Sequence, residues 1–318
     1  MVDEATTYQM ILAVCPNTAI DRTAVIAGFA AGKQHKIARV HQQPGGKGVN
    51  AARVLKALGQ PVLVIGFVGG ETGRQFAHGL QREGISAELV RIAGPTRTCL
   101  AIVDPRGHKV TEIDELGPEV NALEVQKLNH AVMQHLGRAH FAIFSGSLPP
   151  GAPVDLYRRW VELAHKHGVL AAVDAAGPIL SQALAAHPYL TKPNQQEAEE
   201  HLGYRLSGES AIIQALETLA PQSEIVAITL GARGAAIAVP GRRWRVHPPS
   251  ISASNTVGCG DAFLAGFLTG LERQLSPEDA SRLAIAAGAA NALTSGAGTM
   301  PAQQITRLET AVQLFPLD

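Results

Sequence analysis

A carboxylate stands directly behind a run of three small residues near the end of the sequence. Gly258, Cys259 and Gly260 precede Asp261, and the apolar, helix-forming stretch AFLAGFLTGL follows it. Asp is favoured at a helix start because unpaired backbone N–H groups and the helix dipole stabilise negative charge. The same N–H groups can bind a second anion, which the carboxylate would then face. The pattern therefore predicts either a plain helix start or an anion site with an acid opposite it.

A second glycine-rich turn runs into a helical pattern at residues 44–59, PGGKGVNAARVLKALG. Gly45 and Gly46 allow the backbone to approach a ligand closely, and Lys47 adds a cation at the helix start. The spacing is neither that of a Walker A loop nor that of a dinucleotide fingerprint. On these residues alone, a structural turn with a solvated lysine explains the pattern as well as an anion site does.

Three more turns follow apolar runs. TKPNQQEAEEHLG contains Lys192, Asn194 and Glu197, and the last two also have the spacing of a helix capping box. ITLGARGAAIAV brackets a tight turn with Gly231 and Gly234, for which a hairpin is a sufficient explanation and a nucleotide contact is the alternative. SGSLPPG is a loop after another apolar run. Together these turns would collect N–H groups, cations and one acid.

The elements that must position these turns are short apolar runs alternating with helical patterns. The runs are MILAVCP, PVLVIGFVG, AHFAIFSG, VLAAVDAA and EIVAITLG, and the helical segments include GVNAARVLKALG, GRQFAHGLQREG, PVDLYRRWVELAHKHG and AIIQALETLA. Continuous apolar strands that alternate with helices indicate an α/β fold with a mostly parallel sheet covered on both faces. Ligands of such sheets bind beyond the carboxyl ends of the strands, so we expect the turns to meet at that edge.

Two segments differ from this pattern. Residues 22–43 and 96–114 alternate apolar and polar positions, and DPRGHK in the second segment indicates a hairpin turn. Strands of this kind turn one face toward water or a partner. We expect a small separate sheet, inserted in a single domain of residues 1–318, that acts as a lid, a dimer surface or both.

Composition excludes several classes of protein. The chain has 46% hydrophobic and 17% charged residues, which is typical of a globular protein, and its 27 basic and 27 acidic residues leave no excess for binding nucleic acid. The first residues resemble neither a signal peptide nor a membrane span, so we expect a cytoplasmic protein without a membrane partner. Cys15, Cys99 and Cys259 lack the spacing of a zinc site or a disulfide framework.

Taken together, these motifs resemble the ribokinase-like pfkB family of sugar kinases over essentially the whole chain. The resemblance rests on NTAIDR at 17–22, GGKGVNAARVLKALG at 45–59, GFVGGETG at 66–73, SGSLPPG at 145–151, KPNQQE at 192–197 and TVGCGDAFLAGF at 256–267. NTAIDR, GGKGVNAAR and TR…TEI…GP are similar to the branch that contains 1-phosphofructokinases and tagatose-6-phosphate kinases. The resemblance implies a three-layer fold with a small β-sheet lid, a homodimer formed through that lid, and dependence on ATP and Mg²⁺.

The resemblance also implies a role for each motif. Asp261 would act as general base toward a sugar hydroxyl, with the backbone of Gly258, Cys259 and Gly260 as anion hole. Substrate contacts are implied for Asp21, Gly46, Lys47, Asn50, Arg97 and Ser147, with Arg97 and Lys47 on the phosphate that the sugar already carries. ATP contacts are implied for Lys33, Lys192, Asn194, Thr229, Gly231, Gly234, Gly258, Gly260 and Asn291, where helix packing is the alternative for Asn291. Glu197 would order water around Mg²⁺, and a monovalent cation near the anion hole is a further expectation.

The identity of the sugar stays open at this point. Some phosphofructokinases of the family carry a second Arg in the strand where this chain has TEIDE, residues 111–115. Fructose 1-phosphate and tagatose 6-phosphate are the expected substrates, with fructose 6-phosphate or an unphosphorylated sugar as alternatives. A non-catalytic sensor of nucleotides or sugar phosphates is a rival class, which the presence of Asp261, Lys192 and Glu197 disfavours. A nicotinamide oxidoreductase is disfavoured because the dinucleotide fingerprint is missing.

Overall fold

The computed structural model describes residues 10–37, 40–107 and 109–318, which form two sheets flanked by helices. The strands are β1 (Met10–Val14), β2 (Ala19–Val25), β3 (Val40–Gly45), β4 (Val62–Val68), β5 (Ser86–Arg91), β6 (Arg97–Asp104), β7 (Lys109–Asp114), β8 (Ala139–Ser145), β9 (Leu170–Asp174), β10 (Leu190–Thr191), β11 (Ile225–Thr229), β12 (Ala235–Val239), β13 (Arg242–His247) and β14 (Gln313–Pro316). The helices are α1 (Lys47–Ala57), α2 (Gly70–Glu83), α3 (Ala122–Leu136), α4 (Leu156–Lys166), α5 (Gly177–Leu184), α6 (Gln195–Leu202), α7 (Glu209–Leu219), α8 (Cys259–Glu272), α9 (Pro277–Ala292) and α10 (Ala302–Glu309). Short 3₁₀ turns occupy Ala220–Gln222 and Gly231–Arg233.

The larger sheet has ten strands in the order β14-β13-β12-β11-β10-β9-β8-β1-β4-β5. From β11 to β5 all neighbours are parallel, whereas β12, β13 and β14 are added in antiparallel fashion at one edge. The predicted α/β class with a mostly parallel sheet is confirmed. The five apolar runs all form strands of this sheet, and the predicted hairpin is the β11–β12 pair.

Helices cover both faces of this sheet. Because successive side chains of a strand point to opposite faces, Leu12 packs toward α3 to α7 while its neighbour Ile11 packs toward α1, α8, α9 and α10. Helix α2 joins the second group through Phe76 and Leu80. The predicted three-layer arrangement is therefore confirmed.

Helix α8 is anchored by unusually close packing on α9. A Cβ atom added to Gly270 would lie 2.6 Å from the Cα atom of Ala280, and one added to Gly266 would lie 2.9 Å from the Cα atom of Ala284. These glycines let the two helix backbones approach each other where larger side chains would separate them. The two helices thereby form a closely packed pair, and α8 carries Asp261 in its first turn.

The smaller sheet has the order β3-β2-β6-β7. Strands β2 and β6 are parallel, and β6–β7 form the predicted hairpin, whose His108 lies outside the described residues. Strand β2 begins at Ala19, three residues before the predicted boundary, and residues 26–37 contain no strand. Residues 38–39 of the predicted lid segment and residues 1–9, where no signal peptide was expected, also lie outside the described part of the chain.

The carboxyl ends of the parallel strands gather the predicted turns at one edge. Cys15 follows β1, Ser145 ends β8, Asp174 ends β9, Lys192 follows β10 and Thr229 ends β11. Across the three described ranges, no helix is both long and apolar enough to cross a bilayer.

Candidate active site

Asp261 lies in the first turn of α8 with 6% of its surface exposed. The Asn50 side chain donates from Nδ2 to its Oδ2 atom at 2.9 Å. Burial raises the pKa of Asp261 to about 7, and the negative charge of Asp174 adds to the effect, while Lys47, Asn50 and Lys192 act in the opposite direction. A carboxylate that can gain or lose a proton near neutral pH is suited to act as a general base.

The turn before Asp261 leaves backbone donors bare. Gly258 is the N-cap residue with φ at +78°, a left-handed conformation that favours glycine. Within the part of the chain that the structure describes, the N–H groups of Gly258 and Gly260 have no acceptor, whereas the Cys259 N–H donates to Thr256 O at 3.3 Å. Burial raises the pKa of the Cys259 thiol to about 11, so the thiol stays protonated at neutral pH. Two of the three predicted donors are therefore free to hold an anion.

A buried carboxylate joins two lysines beside this turn. Asp174 accepts a hydrogen bond at Oδ1 from Lys47 Nζ at 2.8 Å, and its Oδ2 lies 3.0 Å from Lys192 Nζ. Burial by itself would raise the pKa of Asp174, but the attraction of Lys192 and Lys47 outweighs it, so the pKa is lowered and the group is ionised. The Nζ atom of Lys192 also lies 3.3 Å from where a Cβ atom of Gly260 would stand. A cation thus borders the bare N–H groups.

Asp174 was missed by the sequence analysis, although it has a recognisable position. It is the last residue of the VLAAVD strand, at the edge where ligands of parallel sheets bind. The register of β9 and β10 places Lys192 beside Asp174, because Thr191 pairs with Val173 and each strand continues by one residue. The signal was a charged residue ending an otherwise apolar strand.

Glu197 and Asn194 form the predicted capping box at the start of α6. The Glu197 carboxylate accepts the Asn194 N–H at 2.8 Å, and Asn194 Oδ1 accepts the Glu197 N–H at 2.9 Å. The second oxygen of Glu197 accepts from Lys47 Nζ at 2.9 Å. Burial by itself would lower the pKa of Lys47, but the negative charges of Asp174 and Glu197 outweigh this effect and raise the pKa. The lysine is therefore held in its charged form between two carboxylates.

Three of the predicted nucleotide contacts lie at or just after the end of β11. The Thr229 N–H donates to Pro193 O at 3.0 Å, which places this strand end next to Asn194. Gly231 and Gly234 have φ values of +61° and +84°, and a Cβ atom on Gly234 would lie 1.9 Å from Val246 O. The turn therefore requires glycine for steric reasons, and its contact with a nucleotide stays a prediction.

Two predicted nucleotide contacts lie apart from this group. The Asn291 side chain donates to Val257 O at 2.7 Å and accepts from the Gly298 N–H at 2.7 Å, so both of its ends brace loops next to the anion turn. This geometry favours the packing alternative. Lys33 is exposed between β2 and β3 and, among the described residues, contacts none of the other candidates through a hydrogen bond or ion pair.

The predicted sugar contacts begin on the smaller sheet. A Cβ atom on Gly45 would lie only 2.0 Å from Cγ of Asp21, so the carboxyl group occupies the space above this glycine. Burial raises the pKa of Asp21 to about 6, against the attraction of Arg53 and Arg97. The neighbouring Gly46 is the N-cap residue of α1 with φ at +102°. Asp21 is thus held over the start of α1, which bears Lys47 and Asn50.

Arg97 and Ser147 are linked through a residue to which the sequence analysis gave no role. Arg97 donates from Nε to Asn17 O at 3.3 Å and from Nη1 to Glu115 O at 2.9 Å. The Asn17 side chain donates to Ser147 Oγ at 2.9 Å, and its buried Oδ1 has no donor among the described residues. Lys47, which was predicted to share the sugar phosphate with Arg97, points instead to Asp174 and Glu197.

The same carboxylates suit a hard divalent cation. The described residues contain no group of three or more His, Cys, Asp or Glu side chains arranged to hold a metal ion. Asp174 and Glu197 are nevertheless both within hydrogen-bond distance of one lysine ammonium group, so a small cation can approach both. Mg²⁺ commonly uses one or two carboxylates and takes its other ligands from water and substrate phosphates. The residues present therefore fit Mg²⁺ delivered with a nucleotide.

Comparison with known proteins gives concordant matches. The family described as pfkB family carbohydrate kinase matches residues 12–304. A 1-phosphofructokinase of Rhodobacter capsulatus is 34% identical over 278 residues, covering 87% of this chain and 88% of the relative. A tagatose-6-phosphate kinase of Staphylococcus epidermidis is 30% identical over 293 residues, covering 91% and 94%. Phosphofructokinase-2 of Escherichia coli, in a crystal structure with potassium, superposes with a TM-score of 0.88 at 25% identity, covering 96% of this chain and 99% of the neighbour.

Proposed function

This chain belongs to the pfkB family of carbohydrate kinases and is a phosphotransferase with an alcohol acceptor, and from that premise we propose that it transfers the γ-phosphoryl group of ATP to a ketohexose phosphate. Fructose 1-phosphate and tagatose 6-phosphate are the proposed acceptors, because the relatives named for these activities match most of the chain. The observation that carries the proposal is the buried Asp261 carboxyl, with a pKa of about 7, next to bare backbone donors and Lys192.

The reaction follows from this arrangement. The γ-phosphoryl group of ATP lies against the N–H groups of Gly258 and Gly260, with Lys192 neutralising charge. Asp261 takes the proton of the attacking sugar hydroxyl as the new oxygen–phosphorus bond forms and the bond to ADP breaks. Phosphoryl transfer needs mostly positioning and charge stabilisation, which these groups supply.

Asp174 and Glu197 are the residues that would hold Mg²⁺. When bound, the ion neutralises charge on the phosphates of the nucleotide. The potassium complex of the Escherichia coli relative supports binding of a monovalent cation by this protein, and we propose a place near the anion turn for it.

Arg97 carries the recognition of the sugar phosphate in this proposal. Lys47 is engaged with two carboxylates, so it contributes less to that phosphate than its sequence position suggested. The planar guanidinium suits a phosphate dianion. Asp21, Ser147 and the free Oδ1 atom of Asn17 provide acceptors for sugar hydroxyls. The protein would work as a homodimer through the smaller sheet.

The test is release of ADP against a panel of acceptors: fructose 1-phosphate, tagatose 6-phosphate, fructose 6-phosphate and the free hexoses. Arg97→Ala should raise KM for the phosphorylated sugar by about 10- to 100-fold, the range for losing a charge-assisted pair, and change KM for a free hexose little. Arg158→Ala is the matched control, since that arginine is paired with Glu162 on the exposed face of α4. Equal effects of Arg97→Ala on KM for both kinds of sugar would show that Arg97 does not bind the sugar phosphate. Binding of ATP without release of ADP in the presence of any of the sugars would favour a sensor.

A further inference from the structure

Arg53 is a buried arginine in α1 that none of the predicted contacts includes. Only 8% of its surface is exposed. It donates from Nη1 to Asn50 Oδ1 and to Ala297 O, both at 3.0 Å, and from Nε to Glu83 Oε2 at 2.6 Å, while Nη2 donates to Pro44 O. The guanidinium therefore ties α1 to α2, to β3 and to the loop after α9.

The bond to Asn50 fixes which end of its amide faces the reaction centre. A guanidinium has donors only, so it can pair with the oxygen of an amide and not with its NH₂ group. With Oδ1 held by Arg53, Nδ2 is turned toward Asp261, to which it donates at 2.9 Å. The reversed amide would place an oxygen against the carboxylate, which favours the protonated acid.

We propose that Arg53 is a positioning residue for the general base: it fixes the Asn50 amide so that Asn50 donates to Asp261, and Glu83 holds Arg53 in place. The inference deepens the proposed function, since it takes Asp261 to be the base of that reaction. The chain Glu83–Arg53–Asn50–Asp261 links a carboxylate on α2 to the reacting group on α8 through side chains of α1.

Other charged groups face the two ends of this chain. Asp261 is faced by Lys47 from α1, Asp174 from β9, Lys192 after β10 and the protonated thiols of Cys15 and Cys259. Arg53 is faced by Glu83 from α2 and by Asp21 from β2. Among the described residues Arg53 is the donor to Asn50 Oδ1, and it makes no hydrogen bond with Asp261. Its effect on the base must therefore pass mainly through Asn50.

The experiment is a double-mutant cycle read out by the pH profile of kcat. Arg53→Met should lower kcat at pH 7 about tenfold, a typical coupling within one hydrogen-bond network, and raise the apparent pKa of the rising limb by about one unit. Asn50→Ala should do the same or more. The double variant should match Asn50→Ala, because Arg53 has nothing to position once the amide is gone. Arg53→Lys keeps one donor and should restore part of the profile.

Arg243→Met is the matched control. Arg243 also pairs with a glutamate and a backbone carbonyl, Glu217 and Leu317 O, but at the far edge of the sheet. The Arg243→Met variant should leave the pH profile of kcat unchanged, because losing a stabilising contact far from Asp261 does not change the pKa of Asp261.

A lower melting temperature in Arg53→Met with an unmoved pH limb, or additive effects in the double variant, would overturn the proposal. If Arg53→Met does not fold, Arg53→Lys and Glu83→Gln carry the same comparison with smaller shifts. If the wild-type protein releases no ADP with any sugar, this result contradicts the proposed function but does not test whether Arg53 positions Asn50. In that case NMR titration of ¹³C-labelled aspartate measures the pKa of Asp261 directly in both forms, and an unchanged pKa in the variant sinks the inference.

Discussion

Asp261 experiences opposing influences on its ionisation. Its place in the first turn of α8 favours the charged form, as does the Asn50 hydrogen bond, whereas burial and the nearby Asp174 favour the neutral form. The result is a pKa of about 7, compared with 3.8 for an ordinary aspartate. Such a group is a stronger base than a surface carboxylate while still being ionised in a large fraction of molecules at neutral pH.

Asp261→Asn should keep ATP binding and lose turnover. Loss of a positioned general base costs roughly 100- to 10,000-fold in kcat. In the wild-type protein kcat should rise with pH through about 7, because only the ionised carboxylate accepts the proton. Steady-state ADP release and calorimetry with ATP measure the two quantities, and turnover close to wild type in the variant would remove the assignment.

The same variant should also change how stability depends on pH. The folded state keeps a proton on Asp261 between pH 3.8 and about 7 that the unfolded state releases, so this group makes folding less favourable as pH rises through that window. Asparagine cannot ionise, so the variant does not lose stability through this group as pH rises. The melting temperature of Asp261→Asn relative to wild type should therefore be higher at pH 8 than at pH 5, and an equal difference at both pH values would contradict the raised pKa.

At this scale the sequence reveals residues whose signals are local. Asp261 and its glycine run, or Asn194 and Glu197, are a few residues apart, so their relation is visible in the chain. Asp174 is different, because its lysine partners come from distant segments; Lys47 and Asp174 are 127 residues apart. Arg53 lies one helical turn from Asn50, but its contact with Ala297 O joins segments 244 residues apart. For the same reason the sequence does not reveal that Lys47 contacts Asp174 and Glu197 and not the surroundings of Arg97.

Among the elements, the contact between β2 and β3 depends on the absence of a side chain at Gly45. Its strand partner in the register is Ala19, and the Asp21 carboxyl group fills the space that a Cβ atom would need. The glycine thereby decides where the carboxyl group on β2 stands over the start of α1. This is a steric role, separate from any backbone conformation that only glycine adopts.

Gly45→Ala should displace Asp21 and weaken sugar binding. A methyl group 2.0 Å from the Cγ atom cannot be accommodated without moving the carboxyl group, so KM for the sugar should rise about tenfold or more while KM for ATP changes little. Gly137→Ala is the control, because its nearest neighbour would be His167 Nδ1 at 3.7 Å and its φ is −66°. Unchanged KM for the sugar in Gly45→Ala would mean that Asp21 does not contact it.

Continuous apolar strands were predictable, and polar or short strands were not. β1, β4, β8, β9 and β11 are buried on both faces and read as unbroken Val, Ile and Ala runs. β5 and β14 lie at the edges with mixed exposure, and β10 spans two residues, so neither pattern nor length distinguishes them from loops. Strand β13 follows β12 through a two-residue turn, whereas β14 pairs with β13 from a distant segment of the chain.

At the scale of the whole molecule, the outer face of the smaller sheet is a candidate surface for binding a second copy of the chain. Leu100 on β6 and Ile113 on β7 are opposite each other in the register, and Ile113 is 55% exposed. Apolar side chains on an open four-stranded sheet favour association of two copies through this face.

Ile113→Lys should weaken that dimer. A charge on this face would have to be desolvated on association, so sedimentation equilibrium should show mostly monomer at concentrations where the wild type is dimeric. Leu123→Lys is the control, since Leu123 is 60% exposed on α3 and lies outside the smaller sheet. A wild-type protein that is monomeric, or an Ile113→Lys variant with unchanged mass, would rule out this interface.

The candidate residues lie at the carboxyl-end edge of the large sheet and on the smaller sheet, so none of them lies on the opposite rim of the large sheet. Gly59, before β4, and Gly168, before β9, lie in turns on that rim, and a Cβ atom at either would meet nothing within 4 Å. Attaching a biotin or a dye to a cysteine placed beside these turns would therefore orient the molecule on a sensor chip with its cleft facing the flowing solution.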